Sequence, residues 1–160
     1  YSNTSYYATS DTYFLWPKYQ KSEINYLLIL SYLNSKIARF LFLAKNISIK
    51  RSKTKLENLL YIPNFNNFHS EKDISMLELI KFLTSFLIQS EILDSKEISN
   101  ELSQLKYFSY ENNNELKSNI LNALKNSHKN FVKEIIDYLF FQIFSLDKFE
   151  VDSLIEKYYE

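Results

Sequence analysis

A short basic segment carries the clearest binding chemistry in this sequence. Residues 45 to 55 contain five cations and no acid: Lys45, Lys50, Arg51, Lys53 and Lys55. Hydrogen-bonding side chains lie between them: Asn46, Ser48, Ser52 and Thr54. Cations mixed with such groups are typical of a nucleic-acid surface, although a charge run can also be a solvated loop. We therefore treat these nine residues, the basic segment, as a candidate DNA-binding site.

The charge is divided unevenly along the chain. Residues 1 to 60 hold nine Lys or Arg against three Asp or Glu, a net charge of +6. Residues 61 to 160 hold ten against sixteen, a net charge of −6. A field of one sign over one face concentrates ligands of the opposite sign there. The sequence thus predicts an N-terminal part that attracts anionic ligands and an acidic remainder that repels them.

Several catalytic chemistries are excluded by composition. The chain has no Gly, which nucleotide-binding loops and nucleophile elbows require, and no Cys for a disulfide, a zinc site or a nucleophile. His69 and His128 lack ligand-like spacing, so each is expected at the surface or at a helix cap. Glu97 and Glu101 could share a helix face and bind a metal, but no strand-borne acid pair accompanies them. We expect no catalytic residue, metal or cofactor in this chain.

Length and hydropathy indicate one domain without a membrane span. A chain of 160 residues is long enough to bury a sizeable core. Its apolar runs are shorter than the roughly 20 residues that cross a bilayer, and no signal sequence is visible. These features predict a cytoplasmic protein. Because the chain opens at Tyr1 without Met, we expect it to be a piece of a longer protein.

The predicted fold class is mainly α (α+β). Residues 5 to 17 favour one or two short strands that Pro17 ends. Their aromatic side chains are expected to pack in a core or against another domain rather than stack on nucleotides: Tyr6, Tyr7, Tyr13 and Trp16. A helix of about 20 residues follows, capped by Ser22. Together these form a small N-terminal strand region with a long helix, followed by a C-terminal helical bundle.

Polar residues interrupt the long helix. Asn34 and Ser35 are poor helix formers at positions where Ala or Leu would serve better. With Lys36 and Arg39 they are candidate cleft-lining residues. The alternative is that Asn34, Ser35 and Lys36 only hydrogen-bond the adjacent strand.

The pattern divides the chain into a mixed α/β recognition lobe at 1–63, a linker at 64–73 and a helical lobe at 74–160. A short helical stretch at 56–61 ends the first lobe before Pro63. The second is predicted to hold helices at 74–94, 96–108 and 115–144, then a last helix opening at Asp147. The first two are expected to be capped by Asp73 and Ser95. Residues 138–144 are apolar nearly all round, so they lie centrally in a bundle or dock on another domain.

Three segments together resemble a known family. They are SDTYFLWPK at 10–18, LLILSYLNSKIARFLF at 27–42 and LENLLYIP at 56–63. In this order they look like the TaqI-like target-recognition domains at the C-terminus of N6-adenine DNA methyltransferases and fused restriction-modification enzymes. The tail at 135–158 resembles the ending of that family, with these residues on the pattern: Asp137, Leu139, Phe140, Ile143, Phe144, Leu146 and Glu150.

The resemblance implies a sequence-specific DNA-binding domain. Its partners would be double-stranded DNA and an N-terminal methyltransferase domain of the same chain, whose cofactor is S-adenosylmethionine. This chain lacks the glycines and adjacent prolines of that catalytic domain and would not methylate by itself. It departs from the family where Phe144-Ser145 replaces Tyr-Gly, and where the basic segment lacks glycines. Whether the parent enzyme also cleaves DNA stays open.

A second function belongs to a different class. The chain could be a helical adaptor or subunit-interaction module, in which the apolar helix at 135–144 meets a protein partner and the basic segment is incidental. Binding of the isolated domain to duplex DNA at low salt, with dependence on Arg51, would separate the two functions.

Overall fold

A computed structural model of the chain describes residues 25–44, 61–88, 95–110 and 114–159. They are mainly helical, which confirms the coarse fold class. The elements are α1 (Tyr26–Leu33), α2 (Lys36–Ala44), a 3-10 helix (Phe65–Asn67), α3 (Glu71–Ile88), α4 (Ser95–Gln104), α5 (Tyr107–Tyr110), α6 (Asn114–Lys125), α7 (Lys129–Ile143) and α8 (Lys148–Tyr159). The predicted strands, the basic segment and residues 56–60 of the predicted short helical stretch lie outside the described residues, and Tyr61, the last residue of that stretch, is not helical.

The predicted long N-terminal helix is two helices. Asn25, rather than Ser22, caps α1, since its side chain accepts a hydrogen bond from the Leu28 backbone N–H at 3.3 Å. The chain leaves the helical path at Asn34 and Ser35 and resumes it at Lys36. Short polar side chains can hydrogen-bond the adjacent backbone and thereby replace intrahelical bonds. This explains why the break falls at the two poor helix formers.

The helices α3 and α7 form the middle of the fold. α3 contacts α1, α5 and α7, while α7 also contacts α2 and α6; α2 packs mainly against α8. Leu79, Ile80 and Leu83 on α3 are fully buried, as are Leu139 and Phe140 on α7. Residues from α1 through α8 contribute to one hydrophobic cluster. The apolar segment of α7 is therefore central within this chain's own core.

An aromatic group links the N-terminal helices to α7. The Tyr32 ring is 1% exposed and lies 6.2 Å from Phe65 and 6.0 Å from Phe140, with both pairs edge to face. Phe68 meets Phe144 in the same way at 5.9 Å. Edge-to-face pairs contribute about 0.5–1.5 kcal/mol beyond area burial. Burial raises the pKa of Tyr32 to about 12, with a smaller contribution from Tyr61.

The start of α3 differs from the prediction. The helix begins three residues early, at Glu71, and Ser70 rather than Asp73 is its cap, since the Ser70 hydroxyl accepts from the Asp73 backbone N–H at 3.0 Å. Part of the predicted linker at 64–73 is thus helical, and Phe65 lies in the core. The division into two lobes stays a prediction.

The predicted helix at 115–144 is also two helices. α6 ends in a pair of bonds in which Ser127 N–H donates to Leu124 and His128 N–H to Ala123, at 3.3 and 2.9 Å. Ser127 has φ 54°. This is a Schellman motif, which satisfies the last carbonyls of a helix and needs a left-handed residue. Sequence reasoning missed it because Ser, rather than Gly, occupies that position.

α7 ends in the same motif. Ser145 has φ 51°, its N–H donates to Gln142 at 3.2 Å, and Leu146 N–H donates to Phe141 at 2.9 Å. α8 then begins as predicted, with the Asp147 carboxylate accepting from the Glu150 N–H at 3.0 Å. Among the described residues, no helix is both long and apolar enough to cross a membrane.

Candidate nucleic-acid interface

The first turn of α2 is held by two caps. Ser35 is buried, and its hydroxyl donates to the Tyr32 carbonyl at 2.6 Å and accepts from the Ala38 N–H at 3.4 Å. The Lys36 N–H donates to Asp137 Oδ1 on α7 at 2.8 Å. A helix leaves its first four N–H groups without intrahelical partners, and these bonds satisfy two of them. One cap is local, and the other joins α2 to a helix distant in sequence.

The Lys36 side chain forms a second link. Its Nζ lies 2.6 Å from Asp152 Oδ1 on α8, with side chains 36% and 26% exposed. Partly exposed ion pairs contribute about 0.2–1 kcal/mol, so this bond orients α2 more than it stabilises the fold. Backbone and side chain of one residue thus connect α2 to both C-terminal helices.

Asp137 is half-buried beneath the start of α2. Burial is the largest influence on its carboxyl and raises the pKa above the ordinary 3.8. The hydrogen bond from Lys36 and the positive charges of Lys36 and Arg39 lower the pKa, and the negative charge of Asp152 raises it. Because the pKa is raised on balance, desolvation outweighs the favourable contacts of the charged form.

The other two candidate cleft residues are exposed. The Asn34 side chain turns back on its own helix and donates to the Leu30 carbonyl at 2.8 Å. Arg39 lies near enough to Asp137 to affect the pKa of that carboxyl. The contacts of Asn34, Ser35 and Lys36 thus form and join helix ends, whereas the structural alternative expected hydrogen bonds to a strand. A role for these residues or Arg39 in lining a cleft stays a prediction.

The basic segment follows directly on α2. α2 ends at Ala44 and the next residue in the chain is Lys45. All nine candidate DNA-binding residues lie outside the described part of the chain: Lys45, Asn46, Ser48, Lys50, Arg51, Ser52, Lys53, Thr54 and Lys55. The described residues on either side of the stretch 45–60 are Ala44, at the end of α2, and Tyr61.

The described residues give no support to a metal site at Glu97 and Glu101. Glu97 and Glu101 are exposed on α4, and no group of three or more His, Cys, Asp or Glu that could hold a metal occurs in the described ranges. His69 and His128 are exposed, as predicted, and His128 stands at the N-cap of α7 without a side-chain cap bond.

Sequence reasoning missed how Asp137 and Asp152 meet Lys36. One signal was available, since Asp137 is an isolated acid between Ile136 and Tyr138 in an otherwise apolar helix segment. A carboxylate on such a face needs a buried partner, because leaving it unpaired is costly. Asp152 lies among other acids in α8, and no pattern distinguishes it.

Comparisons with protein-family models, curated proteins and solved structures found no match to this chain.

Proposed function

We propose that the chain binds double-stranded DNA as the target-recognition part of an adenine-N6 methyltransferase from a restriction-modification system. The basic segment would contact the DNA, and the acidic helices would form the scaffold behind it. A catalytic domain outside this chain would bind S-adenosylmethionine and methylate the adenine.

One observation carries the proposal most directly. The Leu33-Asn34-Ser35-Lys36 segment and the tail at 135–158 are two of the stretches in which the chain resembles the family, and they contact each other through the Lys36 to Asp137 bond of 2.8 Å. Lys36 and Asp137 are 101 positions apart, belong to two different resembling stretches, and are in contact. This contact supports one structural unit rather than two separate chance similarities. This unit holds the helix that leads into the basic segment.

The end of α7 adds a second, smaller support. The family often has Gly where this chain has Ser145, and Ser145 adopts the left-handed conformation that Gly favours. At this position Ser145 thus has a conformation that the family's Gly could also adopt.

The proposed mechanism divides the cations by role. Methylating adenine within a duplex requires rotating the base out of the stack at a cost of a few kcal/mol, so another surface must hold the DNA. Lys45, Lys50, Lys53 and Lys55 suit phosphate contacts, which position the duplex. Arg51 suits a guanine, because its planar fork can donate to O6 and N7, with about 1–3 kcal/mol of discrimination.

The adaptor alternative loses its predicted contact face. Ile135, Ile136 and Leu139 are buried in this chain's own core, as are the rings of Phe140 and Phe141. Tyr138 is 43% exposed and Gln142 is exposed, which leaves a narrow, mixed strip for a partner. An adaptor would have to use another surface.

The test is binding of the purified chain to duplex DNA at low salt, compared among three variants. We expect Arg51→Ala to weaken binding to a duplex selected from a random library. Arg51→Lys keeps the charge and should restore non-specific binding without the lost base preference. Lys133→Ala, which removes a charge from an exposed site on α7, is the control and should bind like the unmodified chain. Equal binding by all four proteins, or none by the unmodified chain, would refute the proposal.

A further inference from the structure

We propose that α2 (Lys36–Ala44) and α8 (Lys148–Tyr159) form a hinged unit, the α2–α8 unit, which unfolds locally while the central helices α3 and α7 stay folded, and that the bond from the Lys36 N–H to Asp137 is its latch. The unit would open whether or not the chain binds DNA, so this proposal and the proposed function can fail separately.

The two helices pack on each other more than on the centre of the fold. Among the described helices, the main packing partner of α8 is α2, and that of α2 is α8. Isolated helices of up to about 12–15 residues are marginal in water, and α2 and α8 have nine and 12 residues. When one of the two helices unfolds, the other therefore loses the packing that keeps it helical. We expect them to open together.

A break in the helical path separates each of these helices from one that is packed on α3. Asn34 and Ser35 lie between α1 and α2, and residues 144–147 lie between α7 and α8. The second break contains Ser145, whose φ is 51°. Hinges are a few residues at the ends of elements that absorb changes in φ and ψ. Both helices can thus leave while α1 and α7 stay against α3.

Burial is also less complete in the unit than in the centre of the fold. The apolar side chains that α2 and α8 bury keep between 2% and 8% of their surface exposed: Ile37, Ala38, Phe42, Val151 and Ile155. Side chains with 0% exposure occur instead on α3, α4, α6 and α7. Segments with fewer deeply buried contacts open at a lower free energy than the whole fold. The α2–α8 unit has this character.

Lys36 makes one bond within the unit and one bond that holds it closed. Its Nζ lies 2.6 Å from Asp152 Oδ1, which joins α2 to α8. Its N–H donates to Asp137 Oδ1 at 2.8 Å, which joins α2 to α7. Opening must break the second bond, because Asp137 belongs to a helix that stays.

Opening should also release a proton. The charged groups that influence Asp137 from the helices packed on it are Lys36 and Arg39 on α2 and Asp152 on α8, and all three leave with the unit. Burial raises the pKa of Asp137 above 3.8, and this burial ends when the unit opens. The closed state is therefore favoured most below pH 3.8, and opening becomes easier as the pH rises through the raised pKa.

The experiment is native-state hydrogen exchange of the full chain, measured residue by residue in increasing but non-denaturing urea. The amides of α2 and α8 should share one opening equilibrium with one urea dependence. They should exchange at least about tenfold faster than the slowest amides of α3. Repeating the measurement between pH 4 and neutrality, with intrinsic exchange rates corrected, should show that opening grows with pH. Asp137→Asn keeps an acceptor oxygen without a titrating carboxyl, so it should keep the latch and lose this growth.

Ile120→Val separates local opening from global unfolding. Ile120 is fully buried on α6, which packs on α4 and α7 rather than on the unit. Because its packing survives local opening, only global unfolding should become easier. The slowest amides of α3 should exchange about two- to tenfold faster, while those of α2 and α8 should not change.

Asp137→Ala tests the latch. Loss of a cap bond should quicken exchange of the α2 and α8 amides alike, by about two- to thirtyfold. Glu134→Ala removes an exposed acid from the same helix and should leave these amides unchanged. If Asp137→Ala does not fold, the unmodified chain, Asp137→Asn and Ile120→Val still decide.

Three results would overturn the proposal. Equal quickening of α2, α8 and α3 in Ile120→Val would mean that only global unfolding exposes the two helices. Different urea dependences for α2 and α8, or quickening of α2 alone in Asp137→Ala, would mean that they open independently. An opening equilibrium that does not change with pH in the unmodified chain would remove Asp137 as the latch.

Discussion

The backbone N–H of Lys36 donates to Asp137 Oδ1 across 2.8 Å, although 101 positions separate the two residues in the sequence. The bond makes a residue of α7 part of the N-terminal cap of α2. The helix that precedes the basic segment in the chain is therefore bonded at its start to both C-terminal helices. Five predictions follow from this arrangement and from the fold around it.

Removing the Asp137 acceptor should destabilise the fold, while removing only its charge should not. Asp137→Ala loses a cap interaction, which contributes about 0.5–2 kcal/mol to the free energy of unfolding. Asp137→Asn keeps an acceptor oxygen for the Lys36 N–H and relieves the burial of a charge, so its stability should lie close to that of the unmodified chain. Urea unfolding of the three proteins at neutral pH measures this. Equal losses in both variants would contradict the cap.

The pH dependence of stability should carry the signature of a raised pKa. Because burial raises the pKa of Asp137 above 3.8, the unfolded chain releases this proton at a lower pH than the folded chain. The Asp137 contribution to stability is therefore greatest below the ordinary pKa and falls as the pH rises through the raised value. Relative to Asp137→Asn, the unmodified chain should lose stability between pH 3.8 and neutrality. A Tm difference that is constant, or that grows in the opposite direction, would contradict this.

The extent of sequence prediction differs between elements for identifiable reasons. Periodicity located the helical stretches of the acidic part but not the breaks within 96–108 and 115–144. The Asp147 cap was correct because it depends on residues three apart. The break at Asn34 and Ser35 was visible as poor propensity but not as a break. The Asp137 cap was not predicted, because a contact over such a separation depends on how three helices pack.

Replacing the left-handed serines should stabilise the fold. Ser127 and Ser145 have φ of 54° and 51°, a region that costs a residue with a Cβ roughly 1–2 kcal/mol. Gly adopts this conformation freely, but it also increases the conformational entropy of the unfolded chain. Ser127→Gly and Ser145→Gly should therefore each raise the free energy of unfolding by about 0.5–1 kcal/mol. Ser118→Gly on exposed α6 is the control and should lose about 0.5 kcal/mol. Denaturant unfolding measures the stability of all three variants. A loss of stability at both left-handed positions would contradict their positive φ.

Two aromatic residues of α7, Phe140 and Tyr138, should differ sharply in how much their replacement by Ala destabilises the fold. Phe140 is fully buried, with Tyr32 and Phe144 rings 6.0 and 6.2 Å away, so Phe140→Ala should cost about 3–5 kcal/mol. Tyr138 is 43% exposed, and Tyr138→Ala should change stability by at most about 0.5 kcal/mol. Thermal unfolding compares them. Small losses of stability in both variants would mean that this face of α7 is not part of the core. The face would then be available to a protein partner, as the adaptor alternative requires.

The salt dependence of DNA binding should reveal how many cations of the basic segment meet phosphate. If Lys45, Lys50, Lys53 and Lys55 each contact one, log K should fall against log salt with a slope of about −3.6, from about −0.9 per contact. A Lys50, Arg51, Lys53 triple Ala variant keeps two of these contacts, so its slope should fall to about −1.8.

The matching control removes three cations from the scaffold instead. Lys125, Lys129 and Lys133 are exposed on α6 and α7, and their triple Ala variant has the same net charge as the first. Because counterion release depends on local contacts with phosphate rather than on total charge, its slope should equal that of the unmodified chain. Filter binding or fluorescence anisotropy between about 50 and 200 mM salt covers the range in which such slopes are measured. Equal slopes for the unmodified chain and the basic-segment variant would exclude phosphate contacts by Lys50 and Lys53.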